Sequence, residues 1–311
     1  MNHRLFVLTW TTLLSGSALA ADFRSSMPVT VSVETGIETI EAKGTVFQDG
    51  RKISHLDWKS ENLMVLRGTL AIDVAPDWTV SVSGKKGLSR DGEMVDYDWV
   101  EPFYQNGSKS GWSHRSIHPD TRLDHYYGGS IELNKKLVEN GGTSLSAGIG
   151  AQYTDVKWTA YGGSYIYSYE GFRDRQGSFN PSEAGITYRH KIPVLYASLN
   201  GSQKWDNWTL SAGLKAGGTV KLKDEDDHWL RSLRYDRTFG VSPMLGANLD
   251  LGYDLTASSS LYLSGKIEKT KFKRGDTTVR HTPTGLSETA TDAAGGSFDS
   301  LSIGLGIKTR F

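Results

Sequence analysis

The C-terminal stretch 301–311 constrains the fold more than any other part of the chain. Leu301, Ile303, Leu305, Ile307, Thr309 and Phe311 alternate with Ser302, Gly304, Gly306, Lys308 and Arg310. Successive side chains of a strand point to opposite faces, so one face is almost wholly apolar and the other carries charge. A soluble sandwich can use such a strand, but this one closes on a C-terminal Phe, as bacterial outer-membrane barrels commonly do. The alternation recurs in Trp78, Val80 and Val82 against Thr79, Ser81 and Ser83, and in Trp208, Leu210, Ala212 and Leu214 against Thr209, Ser211, Gly213 and Lys215. Leu261, Leu263 and Ile267 against Tyr262, Ser264, Lys266 and Glu268 give another case. Lys and Glu on the non-apolar faces imply an aqueous or salt-bridged interior. With only 37% apolar residues but 35 Gly, 14 Tyr and 9 Trp, the chain suits a β-protein whose inside is polar and whose outside is not.

Short turn signals fall at 75–77, 139–142, 206–207 and 256–258, and long connectors at about 42–52, 90–120, 163–182, 224–233 and 275–296. Their alternation predicts an all-β fold, a ten-stranded antiparallel transmembrane β-barrel with long extracellular loops and both termini on the short-turn side. Several segments exceed the roughly 9 to 11 residues needed to cross a bilayer, so the strands are expected to stand out beyond it. Residues 1–20 read as a signal peptide: His3 and Arg4 precede an apolar run from Leu5 to Leu14, and Ala18-Leu19-Ala20 forms a cleavage site. That leaves 21–311 as one barrel domain. Basic and acidic residues balance at 35 each, which argues against a nucleic-acid partner. The absence of Cys removes disulfides, thiolate nucleophiles and thiolate metal sites.

Two acidic segments carry the chemistry. Asp96-Tyr97-Asp98 and Asp224-Glu225-Asp226-Asp227-His228 each hold ionisable residues at i and i+2, which an extended backbone sends to one face. Brought opposite each other, they would hold a water with His228 as general base, Asp226 fixing its tautomer, and Asp96 and Asp98 sharing a proton. An acidic, solvated loop is the bland alternative, and a metal site built on the same carboxylates and imidazole is another. Both segments open long connectors, at a rim that also receives Glu41, His114 and His118. Strict alternation from Trp208 would turn Asp226 and His228 towards lipid, so a bulge, most naturally at Gly217-Gly218, or an early strand end is required.

The residues resemble the omptin family of outer-membrane proteases. The resemblance runs through Arg51-Lys52-Ile53-Ser54-His55-Leu56-Asp57-Trp58-Lys59, Met94-Val95-Asp96-Tyr97-Asp98-Trp99 and His118-Pro119-Asp120-Thr121. It continues in Gly162-Gly163-Ser164-Tyr165-Ile166-Tyr167-Ser168, Glu170-Gly171-Phe172-Arg173-Asp174 and Asp226-Asp227-His228. It implies a ten-stranded barrel with its groove at the extracellular mouth, where Asp96 and Asp98 form a catalytic couple and Asp226 and His228 a dyad that together activate water. Ser116 matches a serine once proposed as nucleophile and is given a supporting role, since no base is reserved for it by spacing. Glu41 and Asp224 match the two acidic residues of the P1 pocket, implying cleavage after Arg or Lys. His114 stands where some members carry a P1′ aspartate. The resemblance also implies lipopolysaccharide as an activator, with Arg189 and Lys157 as its basic contacts here and Ala151, Tyr153 and Asp155 departing from the family cluster. No metal or other cofactor is implied. Substrates would be polypeptides with exposed basic residues, such as cationic antimicrobial peptides, with plasminogen included by analogy. The competing reading is an adhesin or invasin using long aromatic loops; a passive porin suits so small a barrel less well.

Overall fold

The computed structural model describes residues 27–105 and 108–311, so the signal peptide lies outside the described residues. One antiparallel sheet closes on itself. Its strands are β1 (Val29–Gln48), β2 (Arg51–Ala75), β3 (Trp78–Gly87), β4 (Asp91–Asp98), β5 (His114–Asn140), β6 (Thr143–Tyr161), β7 (Ser164–Tyr167) and β8 (Arg175–Ser178). They continue as β9 (Ala184–Trp205), β10 (Trp208–Thr219), β11 (Leu222–His228), β12 (Leu233–Phe239), β13 (Pro243–Asp254), β14 (Ser259–His281) and β15 (Ser287–Arg310). Three staves are each broken into two strands: β3 with β4, β10 with β11, and β12 with β13. These make a ring of ten with β1, β2, β5, β6, β9, β14 and β15, which closes where β1 pairs with β15, Ile37 opposite Ile303. The β7–β8 hairpin pairs with the upper end of β5.

Polarity inverts along each stave, and that inversion locates the membrane. On β1 the outward residues Val31, Val33 and Ile37 are exposed while Glu34 and Glu38 are buried; above them Ile40 and Ala42 are buried and Glu41 and Lys43 face out. β15 does the same, with exposed Leu305, Ile303 and Leu301 giving way to Asp299 outside and buried Phe298 inside. Below the switch the outer wall meets hydrocarbon and the lumen is ionic. Arg67 donates to Glu34 over 2.9 Å and also binds Glu38, while Tyr126 donates its hydroxyl to Glu38 over 2.7 Å. The lumen at this level is thus lined by paired charges around a cavity of about 340 Å³. Above the switch the barrel stands in water and packs like a soluble protein, with Trp58, Trp158, Tyr188, Met94 and Phe298 inside. Trp58 stacks on Tyr188 at 5.5 Å and Trp158 at 6.2 Å. The polar interior and apolar exterior expected from composition hold only at belt level, because only there does lipid replace water outside.

The connectors are also shorter than expected. The supposed long loop at 42–52 is a two-residue turn, Asp49-Gly50, both at positive φ (52° and 76°) as a tight hairpin requires. β14 and β15 likewise run through most of 275–296. The polar alternating segments stay in strand because their backbone groups pair across the hairpin, even in water.

Candidate active site

The parity problem is solved by one extra residue. β9 carries both β10 and β11: Val194 pairs with Thr219, and Lys191 pairs with Lys223. Between those pairs β9 moves from 194 to 191 while its neighbour moves from 219 to 223, one residue more. Lys221 absorbs the excess in the left-handed region at φ 55°, and the Val220 N–H is satisfied by Pro193 O at 2.8 Å. Thr209, Ser211 and Lys215 face inward on β10, but Leu222, Asp224, Asp226 and His228 do so on β11. The break falls at Val220-Lys221 rather than at Gly217-Gly218.

One wall of the mouth is built from β9, β11 and β12. Register sets Asp224 opposite Arg237 and His190, Asp226 opposite Tyr235 and Tyr188, and His228 opposite Leu233 and Ile186. His228 Nε2 lies 3.2 Å from Asp226 Oδ1, and its ring packs edge-on against Tyr235 at 5.0 Å. The other oxygen, Asp226 Oδ2, accepts from Arg237 Nη2 at 2.9 Å. Burial works against the Asp226 charge, but His228 and Arg237 together outweigh it and hold its pKa down at about 2. Asp224 accepts from Arg237 Nη1 at 3.3 Å and from the Tyr188 hydroxyl at 3.1 Å. Here burial, reinforced by Asp226, exceeds the pull of Arg237, and its pKa is raised to about 6. Burial and the Arg237 charge push His190 down to about 3, so it is neutral.

The facing wall is built from β2, β4 and β5. Asp96 lies between Leu56 and Ser116, and Asp98 between Ser54 and His114. Ser54 donates to Asp96 Oδ1 at 3.3 Å. Both carboxyls are recessed within the mouth yet keep some solvent contact. Burial, then the neighbouring Asp98 and the Asp226 across the mouth, raise Asp96 well above the usual carboxylate range. Burial raises Asp98 too, opposed by Ser54, His114, Arg231 and His228. The two walls therefore act on each other electrostatically. The result is a carboxyl couple that holds its protons more tightly than usual, set across the mouth from a dyad whose carboxylate stays ionised. Among the described residues, no three His, Asp or Glu side chains form a metal-ligand set.

The other predicted residues are distributed unevenly. His114 and Ser116 line the same wall, with His114 beside Tyr167 at 4.9 Å. Spacing concealed a base for Ser116: His118 Nε2 lies 3.0 Å from its Oγ, two residues along the same strand. His118 is buried against Phe179 at 5.1 Å, and burial lowers its pKa. Arg189 and Lys157 face out, directly paired across β9 and β6 just above the apolar belt. Arg189 binds Asp155 through two bonds of 2.9 and 2.6 Å, and His125 Nε2 lies 2.9 Å from the same carboxylate.

Glu41 is a correction. It lies on the outer wall, 3.1 Å from Lys43 and paired with Lys59 and Asp299, and so cannot share a pocket with Asp224. β1 keeps strict alternation from Val31 through Ile37 to Glu41, because the bulge between β1 and β2 falls on the β2 side, near Asn62 (φ 52°). The inward neighbour is Ala42, fully buried. The β1 alternation in the sequence already contained this signal. Glu41→Gln is expected to change kcat/KM by less than about twofold for peptides with either a basic or a neutral P1 residue, since its carboxylate faces out beside Lys43 and a surface ion pair contributes little to its surroundings. Steady-state peptide cleavage checks this, and a tenfold loss confined to basic P1 would return Glu41 to the pocket. Arg237, His190 and Tyr188 were not foreseen, because each reaches the site only through β-sheet register.

The belt and the closed ring define an outer-membrane barrel, and the two facing acidic pairs mark a candidate active site at one mouth. The Omptin family model matches residues 25–311. Protease 7 of Escherichia coli (strain K12) is 30% identical over 307 residues, 95% of each chain, and outer membrane protease OmpP of the same strain is 30% identical over 90% of each. The plasminogen activator of Yersinia pestis is 29% identical over the full length of both. The crystal structure of outer membrane protease OmpT from Escherichia coli superposes with a TM-score of 0.86 at 28% identity, covering 92% of this chain and 99% of that one. The chain belongs to the omptin family of outer-membrane proteases.

Proposed function

We propose that this protease is an endopeptidase that cleaves flexible polypeptide segments at its extracellular mouth, using a water activated between His228–Asp226 and the Asp96–Asp98 couple. The observation that carries the reading is the placement of Asp226, bonded by Arg237 and 3.2 Å from His228, on the wall opposite Asp96 and Asp98, whose pKa values burial raises. His228 takes a proton from the water as its oxygen adds to the peptide carbonyl, and Asp226 stabilises the imidazolium. The proton held by the couple hydrogen-bonds the oxygen that gains negative charge. His228 then delivers its proton to the departing amine, so the atoms and protons of water end on the two products. No acyl-enzyme is required. The Ser116–His118 contact supports a serine nucleophile instead, but among the described residues no carboxylate bonds His118, whereas His228 has one fixed by Arg237.

Lipopolysaccharide is proposed as the activator, through the Arg189, Lys157 and Asp155 cluster at the upper edge of the belt, where lipid phosphates would lie. Cleavage after Arg or Lys requires free carboxylates in the P1 pocket, and neither Glu41 nor Asp224 supplies one as the chain stands. Peptides and proteins with exposed segments are the substrates proposed, plasminogen among those to try given the name of the Yersinia relative. The test is digestion of a peptide library, varied at every position, by refolded residues 21–311 with and without rough lipopolysaccharide, with products read by mass spectrometry. Internal cleavage that requires lipopolysaccharide is expected. Intact peptides after incubation with a folded, lipopolysaccharide-loaded barrel would rule the endopeptidase out.

A further inference from the structure

We infer that Arg237 is a built-in occupant of the P1 pocket and that this enzyme accepts neutral P1 residues in place of basic ones. The inference rests on the endopeptidase reading above and deepens it. A pocket that selects Arg or Lys must offer a carboxylate to the incoming cation. Here register sets Arg237 directly opposite Asp224, and its guanidinium bonds Asp224 Oδ1 at 3.3 Å and Asp226 Oδ2 at 2.9 Å. The second Asp224 oxygen is taken by the Tyr188 hydroxyl at 3.1 Å.

The floor is also closed. Arg237 is 2% exposed, Asp224 1%, and Tyr188 and Ala42 0%, so Arg237 sits between the carboxylate and the mouth's solvent-facing wall without a free acid beside it for a substrate cation. The only other acid assigned to the pocket, Glu41, points outward. A substrate cation would instead find both carboxylates already bonded to Arg237. Arg237 thus makes the contact that a P1 arginine would otherwise make, and it orients Asp226 at the same time.

The experiment uses four quenched peptides identical except for Arg, Gln, Ala or Leu at P1, with lipopolysaccharide-loaded wild type and Arg237→Ser, each checked for folding by heat-modifiable mobility. For wild type, kcat/KM with P1 Arg should be at least tenfold below that of the best neutral peptide. In Arg237→Ser the ratio of P1 Arg to P1 Gln should rise at least tenfold, whatever happens to the absolute rates through Asp226. A wild-type preference for P1 Arg over every neutral residue, or an unchanged ratio in the folded variant, overturns the assignment. A second arm needs no catalysis: methylguanidinium should raise the melting temperature of Arg237→Ser and leave wild type unmoved. If no peptide is cut, the endopeptidase reading fails, and this arm still decides the pocket. Equal response of both proteins counts against Arg237 as occupant.

Discussion

His228→Ala is expected to lower kcat/KM by about 10³–10⁴, the upper range for losing a positioned general base and close to 4–5.5 kcal/mol of transition-state stabilisation. The size follows from the surroundings of the ring. His228 Nε2 meets a carboxylate on the inner wall of the mouth, Asp226 Oδ1 at 3.2 Å, and that carboxylate is held ionised against burial by His228 and Arg237. Asp226→Asn should fall nearly as far, because an amide facing Nε2 can hold the ring in the opposite tautomer. The double variant should lose little more than the worse single one, since the two residues act as a unit. Ser116→Ala supplies the contrast. Its loss should stay within about tenfold if Ser116 only supports the wall, and a loss matching that of His228→Ala would move the nucleophile to Ser116 with His118 as its base. Steady-state kinetics on refolded, lipopolysaccharide-loaded proteins separates these outcomes.

Asp96→Asn is expected to lower kcat/KM by about 10²-fold and to change the pH profile, within the range for a positioned acid. The sign follows from the direction of the shift. Burial, Asp98 and Asp226 raise the Asp96 pKa, so its proton is present at low pH and is lost as pH rises through the raised value. If that proton stabilises the oxygen of the reacting carbonyl, wild-type activity declines on the alkaline side as the couple ionises. Asparagine cannot ionise, so the variant should keep its residual rate where wild type declines, flattening the alkaline limb. An alkaline limb of unchanged midpoint in Asp96→Asn would remove the couple from the role of proton holder. Because the two carboxyls titrate together, the midpoint belongs to the pair.

How far the site could be read in the sequence depended on how local its determinants were. Asp96 and Asp98 were assigned to one face because the i, i+2 rule needs only an extended backbone. The orientation of Asp226 and His228 required counting residues between β9 and its neighbour, which turns on a single left-handed residue, Lys221, and not on the glycine pair that the sequence offers first. Glu41 illustrates the opposite error. Its parity was legible from Val31, Val33 and Ile37, but the resemblance to the family placed it in the pocket, and the outward ion pair with Lys43 removes it.

By itself the sequence determined a membrane barrel of about ten strands, its amphipathic faces and its two acidic pairs, because period-two alternation and turn chemistry are properties of neighbouring residues. Only the tertiary structure decided where the polarity of the wall inverts, which histidine accompanies Ser116, and that Arg237 faces Asp224. Those facts depend on hairpin register and on the closure of the ring, where a one-residue slip exchanges inside for outside and no local pattern fixes the count.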